Sequence, residues 1–151
     1  MGYTTEEGRT QILDDAGAAA DQLSIAIAEL GEAYEHLDES AGDRMESDLF
    51  RPLQSAFGQL KRTHSEFAQR SGLPSRDFPP ALPPAPEDPR VSLEHAADAI
   101  QAADDMLAEL QDTLLPVEVG DQELRGGLSG TRTVIAPLPE RCDEFVRTLG
   151  R

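Results

Sequence analysis

The chain has 151 residues, with 29 acidic and 13 basic side chains, a single cysteine and a formal net charge of -16 at pH 7. This length suits one domain around one core, and a lone Cys142 excludes both an internal disulfide and a cysteine-based metal cluster. No apolar run approaches the roughly 18 residues of a membrane span, and the negative charge opposes binding to nucleic-acid phosphates or anionic lipid.

The first segment predicts an amphipathic helix over about residues 5–40. Its apolar and small side chains recur alternately at four and three residues, which is the heptad period of a helix packed in a bundle. Thr4 and Glu7 have the spacing of a capping box and would start this helix. The heptad row consists of Ile12, Ala16, Ala19, Leu23, Ala26, Leu30, Ala33 and Leu37.

The second segment predicts a helix over about residues 44–71, with Leu49, Leu53, Ala56, Leu60 and Phe67 in the heptad row. Pro52 leaves two interpretations, because proline lacks the N–H that a helix interior requires. Either Asp48 caps a helix with Pro52 in its opening turn, or a longer helix kinks at Pro52. Gly72 suits the left-handed residue that closes a helix.

A proline-rich connection follows over residues 73–88. Residues 73–90 hold seven of the eleven prolines, a composition typical of stiff polyproline II structure. At about 3.1 Å per residue the segment reaches roughly 55 Å, enough to recross the neighbouring helices. Phe78 and Leu82 are the expected anchors, and Asp88 with Pro89 resembles a helix cap followed by its first residue.

Two further helices are predicted, over about residues 89–115 and 121–149. The last keeps its heptad through Gly126, Gly127, Gly130, Pro137 and Pro139, each of which disfavours a helix interior, so we expect a kink or break at residues 136–139. The interpretation is a single all-α domain spanning residues 1–151, an up-down four-helix bundle with a long proline-rich connection between its second and third helices and a kinked fourth helix.

Charge is distributed unevenly along the chain. Residues 4–40 carry ten acids and one base, and residues 91–115 carry six acids and no base, so the first and third helices hold nearly all of the net charge of -16. We expect these two helices to lie diagonally opposite, each flanked by the arginine-bearing second and fourth helices, because this arrangement separates like charges.

The outward row of the third helix is the candidate partner-binding surface. Asp98, Asp105 and Asp112 recur every seven residues, with Asp104 and Glu109 beside them. The negative electrostatic potential around these acids would favour docking of a basic protein. A solvated face without a partner is the alternative interpretation.

A second candidate surface is a ridge of small residues on the first helix. Gly17, Ser24, Ala28 and Gly31 lie near the edge of the core stripe with Ile25 beside them, and small side chains let another helix approach closely. The ridge predicts either self-association as a homodimer or contact with another helix of the same chain.

Motifs for metal or cofactor chemistry are missing from the sequence, so no metal ligand, cofactor or catalytic residue is predicted. A di-iron bundle requires Glu three residues before His, whereas Ala33, Lys61 and Ser92 stand at that offset before the three histidines. Cys142 occupies a heptad position, which predicts a packing role.

The sequence therefore favours a non-enzymatic adaptor or docking protein that binds a basic protein partner, with no direct nucleic-acid or membrane binding. The alternative is a ligand- or anion-sensing bundle, or an enzyme, with Arg125, Arg132 and Arg141 meeting an anion beside the broken fourth helix. The N-terminus lacks a basic-then-apolar leader, so the expected location is cytoplasmic. Preference for arginine over lysine suggests a bacterial source.

Overall fold

The computed structural model describes residues 4–149, and within this range it contains helices and no strand. The helices are α1 (Thr5–Tyr34), α2 (Glu39–Met45), α3 (Arg51–Ser71), α4 (Pro89–Asp112), α5 (Leu115–Glu118), α6 (Gln122–Ile135) and α7 (Leu138–Thr148), with a π-helical turn at Glu46–Phe50. The all-α prediction is confirmed. None of these helices combines the length and the apolar composition that a membrane span requires.

Several helix ends follow directly from the sequence. The Thr4 hydroxyl accepts a hydrogen bond from the Glu7 amide at 3.1 Å, and the Glu7 carboxylate accepts one from the Thr4 amide at 3.3 Å. Asp88 caps α4 by accepting from the Arg90 amide at 2.8 Å. Gly72 closes α3 with a φ of 68°, in the left-handed region. These caps satisfy backbone groups that have no partner inside the helix.

The second predicted helix begins earlier than expected and contains a π-helical turn. Asp38 accepts a hydrogen bond from the Ala41 amide at 2.8 Å and so starts α2 directly after the end of α1. The π-helical turn then joins α2 to α3 without leaving helical backbone angles, and Pro52 is the second residue of α3. A widened turn accommodates the N–H that proline lacks. We call residues 39–71 the α2–α3 arm.

The last predicted helix is broken where the prolines stand. It ends at Ile135 as α6 and resumes at Leu138 as α7, which confirms the predicted interruption at residues 136–139. We call residues 122–148 the α6–α7 arm. Its heptad side chains stay buried on both sides of the break, namely Leu124, Leu128, Thr131, Ile135, Leu138, Cys142 and Phe145.

Two of the three glycines of α6 mark a close approach between α3 and α6. A Cβ atom at Gly127 would overlap the side chain of Thr63, and one at Gly130 would lie 2.5 Å from Nε2 of Gln59. A Cβ atom at Gly126 would meet nothing within 4 Å. Packing therefore explains Gly127 despite its low helix propensity, whereas at Gly130 the flexible end of the Gln59 side chain could move aside for a Cβ atom.

Neighbouring helices run antiparallel around a common core. Helix α1 packs along α4 and against α3, while the α6–α7 arm packs against α3 through α6 and against α4 through α7. Arg70 near the end of α3 binds Asp121 at the start of α6, and Arg141 on α7 reaches the carbonyl oxygen of Asp48 before α3. These paired ends fix the relative direction of the two arms.

The expected diagonal placement of the two acidic helices is wrong, because α1 and α4 are direct neighbours and form the most extensive helix contact. Both helices carry fully buried alanines on the facing stripes, such as Ala26 and Ala103, and side chains this small let two helices approach closely. Apart from Glu29 and Asp104, most of the acids on these helices are exposed to water, where repulsion is screened within about 8 Å. Packing thus outweighs charge separation.

The proline-rich connection recrosses the helices over α1. Arg76 forms two hydrogen bonds to Asp21, at 2.7 and 3.1 Å, and the Ala81 amide donates to the Ser24 hydroxyl at 2.9 Å. The Phe78 ring stands edge-on to the His64 ring with centroids 5.0 Å apart, so its predicted anchoring is confirmed. Leu82 is 89% exposed, so its predicted anchoring is wrong.

Candidate functional site

The packing of α1 beside α4 places one acid of α1 next to the exposed acids of α4. Asp98, Asp105, Glu109 and Asp112 are exposed on α4, and Asp15 of α1 lines a surface depression together with Glu109. We call these five residues the acidic face. Successive members of the row Asp98, Asp105 and Asp112 lie about 10 Å apart along the helix, at 1.5 Å per residue.

Asp104 differs from the other acids that the sequence predicted for partner binding. Its carboxylate accepts a hydrogen bond from Nε of Arg132 at 2.8 Å, and this pair links α4 to α6. The contact also raises the pKa of the Arg132 guanidinium. Asp104 therefore lies at the helix interface, with its charge already matched, and is not part of the acidic face.

The ridge of small residues on α1 is covered in part by the chain's own connection. Gly17 is buried beneath Arg76, and Ser24 is buried where its hydroxyl receives the Ala81 amide. Ala28 and Gly31 line a groove, while Ile25 is 41% exposed. At Gly17 and Ser24 the close contact is thus intramolecular, and self-association stays a prediction for the remaining residues.

The groove beside Ala28 and Gly31 has a volume of about 650 Å³. It lies between α1 and α3, and the proline-rich connection forms one of its walls. Phe50, Phe57 and Phe78 give it a mainly apolar lining, with Lys61 at its edge. The α1/α3 groove was not predicted, because a heptad pattern does not show how closely two helices approach.

The three arginines predicted to meet an anion bind separate partners. Arg125 donates to the Pro116 carbonyl oxygen at 3.1 Å, Arg132 is held by Asp104, and Arg141 reaches the Asp48 carbonyl oxygen at 3.4 Å. Arg141 also lines a depression of about 450 Å³ with Arg44, where Asp48 and Glu144 balance the two positive charges. The structure therefore does not bring the predicted arginines together.

Three ionisable side chains from three elements converge at the far end of α1. Nδ1 of His95, on α4, lies 3.4 Å from a carboxylate oxygen of Glu29 on α1 and 3.5 Å from one of Glu87 in the connection. Glu29 is only 8% exposed, and burial together with the neighbouring Glu87 raises its pKa to about 7. We call these three residues the Glu–Glu–His cluster.

Sequence reasoning missed this cluster because its members are far apart in the chain. A search for Glu three residues before His on one helix cannot detect ligands contributed by two helices and a connection. His95 is half-exposed. One sequence feature could have indicated the cluster. Glu29 is an acidic residue directly before the heptad residue Leu30, and it lies on the buried side of α1.

Cys142 is buried on α7, in agreement with the packing role expected from its heptad position. Burial raises the pKa of its thiol to about 12. The nucleophilic thiolate is therefore scarce near neutral pH, so the side chain is chemically protected in the folded protein.

Comparisons of the chain with protein-family models, with curated proteins and with solved structures found no match.

Proposed function

We propose that the chain forms a four-helix bundle that works without catalysis and binds a basic protein through the acidic face. The observation that carries this proposal is the direct packing of α1 against α4. These two helices carry 13 acids and only two bases, and their contact brings Asp15 of α1 beside the exposed acids of α4. A concentrated field speeds the encounter with an oppositely charged partner.

The spacing of the acids specifies the partner's chemistry. Asp98, Asp105 and Asp112 are exposed at steps of about two helical turns, or roughly 10 Å. A partner helix with Lys or Arg at every seventh position would place one base opposite each acid. Because these charges stay near water, they contribute more to encounter rate and orientation than to affinity, and binding should weaken as salt increases.

The acidic face contains no basic side chain, whereas the two arms carry several. The α2–α3 arm carries Arg44, Arg51, Lys61, Arg62 and Arg70, and the α6–α7 arm carries Arg125, Arg132, Arg141 and Arg147. The negative charges near these two arms are therefore partly neutralised by neighbouring bases, as the charge of Asp121 is by Arg70. A basic partner thus has an electrostatic reason to choose the α4 side.

The partner is identified by photo-crosslinking from two exposed glutamines in lysate of the native host. A benzophenone side chain at Gln101, which hydrogen-bonds to Asp105, reports on the acidic face, and one at Gln69 reports on α3. We expect a basic protein to be crosslinked from position 101 only. Equal crosslinking from both positions, or none from position 101, would contradict the proposal.

Charge reversal then tests the purified pair. We expect Asp98→Lys, Asp105→Lys and Asp112→Lys together to weaken binding by roughly a hundredfold or more, since three attractive contacts become repulsive. Isothermal titration calorimetry measures the affinity, and circular dichroism checks that the helices remain.

The matched control reverses three exposed acids on the α2–α3 arm, which packs mainly against α1 and α6. Asp43→Lys, Glu46→Lys and Glu66→Lys change the net charge by the same amount. We expect this variant to bind within a few-fold of the native chain. Equal loss in both variants would mean that only total charge matters, and unchanged binding in the first would refute the acidic face as the docking surface.

A further inference from the structure

The Glu–Glu–His cluster assembles the ligand types of a divalent-cation site. Glu29, Glu87 and His95 each offer one ligand atom, and these atoms all lie within 4.8 Å of one another. Among residues 4–149 this is the one such group of three found. Its three residues come from α1, the proline-rich connection and α4. They are far apart in the sequence and meet only in the folded chain.

Its distances suit a tetrahedral ion. Zinc bonds of about 2.0–2.2 Å to nitrogen and oxygen place neighbouring tetrahedral ligands roughly 3.3–3.5 Å apart. The nitrogen Nδ1 of His95 lies 3.4 Å from Oε1 of Glu29 and 3.5 Å from Oε1 of Glu87. Two of the three ligand separations therefore already have the required length.

A buried atom without a partner provides independent support. Oε2 of Glu29 is buried and has no hydrogen-bond partner, although the residue is only 8% exposed. An unsatisfied buried carboxylate oxygen is costly, and a cation between the two carboxylates would offset that cost.

The cluster also has an orienting neighbour. The hydroxyl of Ser92, a fully buried residue on α4, donates a hydrogen bond of 3.0 Å to Oε1 of Glu87. Bonds of this kind hold ligands in place around metal ions. Glu87 is thus fixed against α4 although it belongs to the connection.

We propose that Glu29, Glu87 and His95 bind one Zn²⁺ ion, with a fourth coordination position open to water. Imidazole together with carboxylates favours zinc over Mg²⁺ or Ca²⁺, which prefer oxygen ligands alone. The ion would tie the proline-rich connection to α1 and α4. This site is independent of docking at the acidic face.

Titration of the untagged full chain with ZnCl₂ in a calorimeter tests the site. We expect one ion per chain and a higher Tm in the presence of Zn²⁺, because an ion that binds only the folded state stabilises it. MgCl₂ at the same concentration should produce neither effect. No zinc binding, or equal binding of Mg²⁺, would overturn the proposal.

Ligand variants locate the ion. His95→Ala and Glu87→Gln change residues outside the core, so both should fold, and each should weaken Zn²⁺ binding at least about tenfold, the loss seen even for outer-shell partners. The matched control is His36→Ala, since His36 also lies 2.9 Å from a carboxylate, that of Glu32, but lacks a third ligand. Zinc binding that survives His95→Ala, or that is lost equally in His36→Ala, would refute the site.

Discussion

Phe67→Ala should lower the free energy of unfolding by about 3–5 kcal/mol, the usual cost of truncating a fully buried aromatic residue. Phe67 is 2% exposed on α3 and is among the largest buried side chains. The cost combines lost burial with a cavity that rigid neighbouring helices cannot fill. Since domains of this kind are stable by only about 5–15 kcal/mol, the variant should be close to unfolding at moderate temperature.

Phe57→Ala is the matched control on the same helix. Phe57 is only partly buried, lines the α1/α3 groove and carries the Lys61 ammonium 4.3 Å above its ring. Its removal enlarges an open groove that water can fill, so we expect a loss of about 1–2 kcal/mol. Urea denaturation followed by circular dichroism measures both values. Equal losses would mean that Phe57 is a core residue or that Phe67 is not.

Adjacent glycines of α6 should respond to alanine with opposite signs. Gly127→Ala should destabilise by about 1–3 kcal/mol, because the new methyl group overlaps the Thr63 side chain. Thr63 is branched at Cβ and its hydroxyl donates to the Gln59 carbonyl oxygen at 2.8 Å, so it cannot rotate away without losing that bond. The two helices must move apart instead.

Gly126→Ala should stabilise by about 0.5–1 kcal/mol, since the methyl group enters open space and alanine favours the helix. The comparison cancels helix propensity, which is the same for both substitutions. Thermal and urea unfolding report the difference. Two stabilising substitutions would show that α3 and α6 are further apart than described.

Much of the fold was predictable because heptad spacing and capping chemistry are local. The α1 row from Ile12 to Ala33 is buried as its period required, and Thr4, Gly72 and Asp88 act at the helix ends where their side chains or backbone freedom predicted. The break in the last helix followed from Pro137 and Pro139. The break between α1 and α2 could not be predicted in the same way. The heptad row continues to Leu37, whereas in the structure Asp38 already caps a new helix.

Helix neighbours were not predictable from charge. Exposed acids interact weakly through water, whereas buried alanines such as Ala26 and Ala103 decide how closely helices pack. The candidate site was likewise only partly predictable from the sequence. The row Asp98, Asp105 and Asp112 is exposed as its period suggested, but Asp104 is paired with Arg132 and the Glu–Glu–His cluster depends on where the connection crosses α1.

The neighbouring positions of α1 and α4 are the basis of the proposed docking surface, and paramagnetic relaxation tests them most directly. A nitroxide on Ala18→Cys can be attached selectively, because Cys142 is buried and its pKa is raised to about 12. Ala18 and Met106 of α4 line one surface depression, whereas Thr133 of α6 is exposed on the other arm. We predict strong broadening of the NMR signals of Met106 and little at Thr133. Stronger broadening at Thr133 than at Met106 would place the acidic helices diagonally and contradict the account.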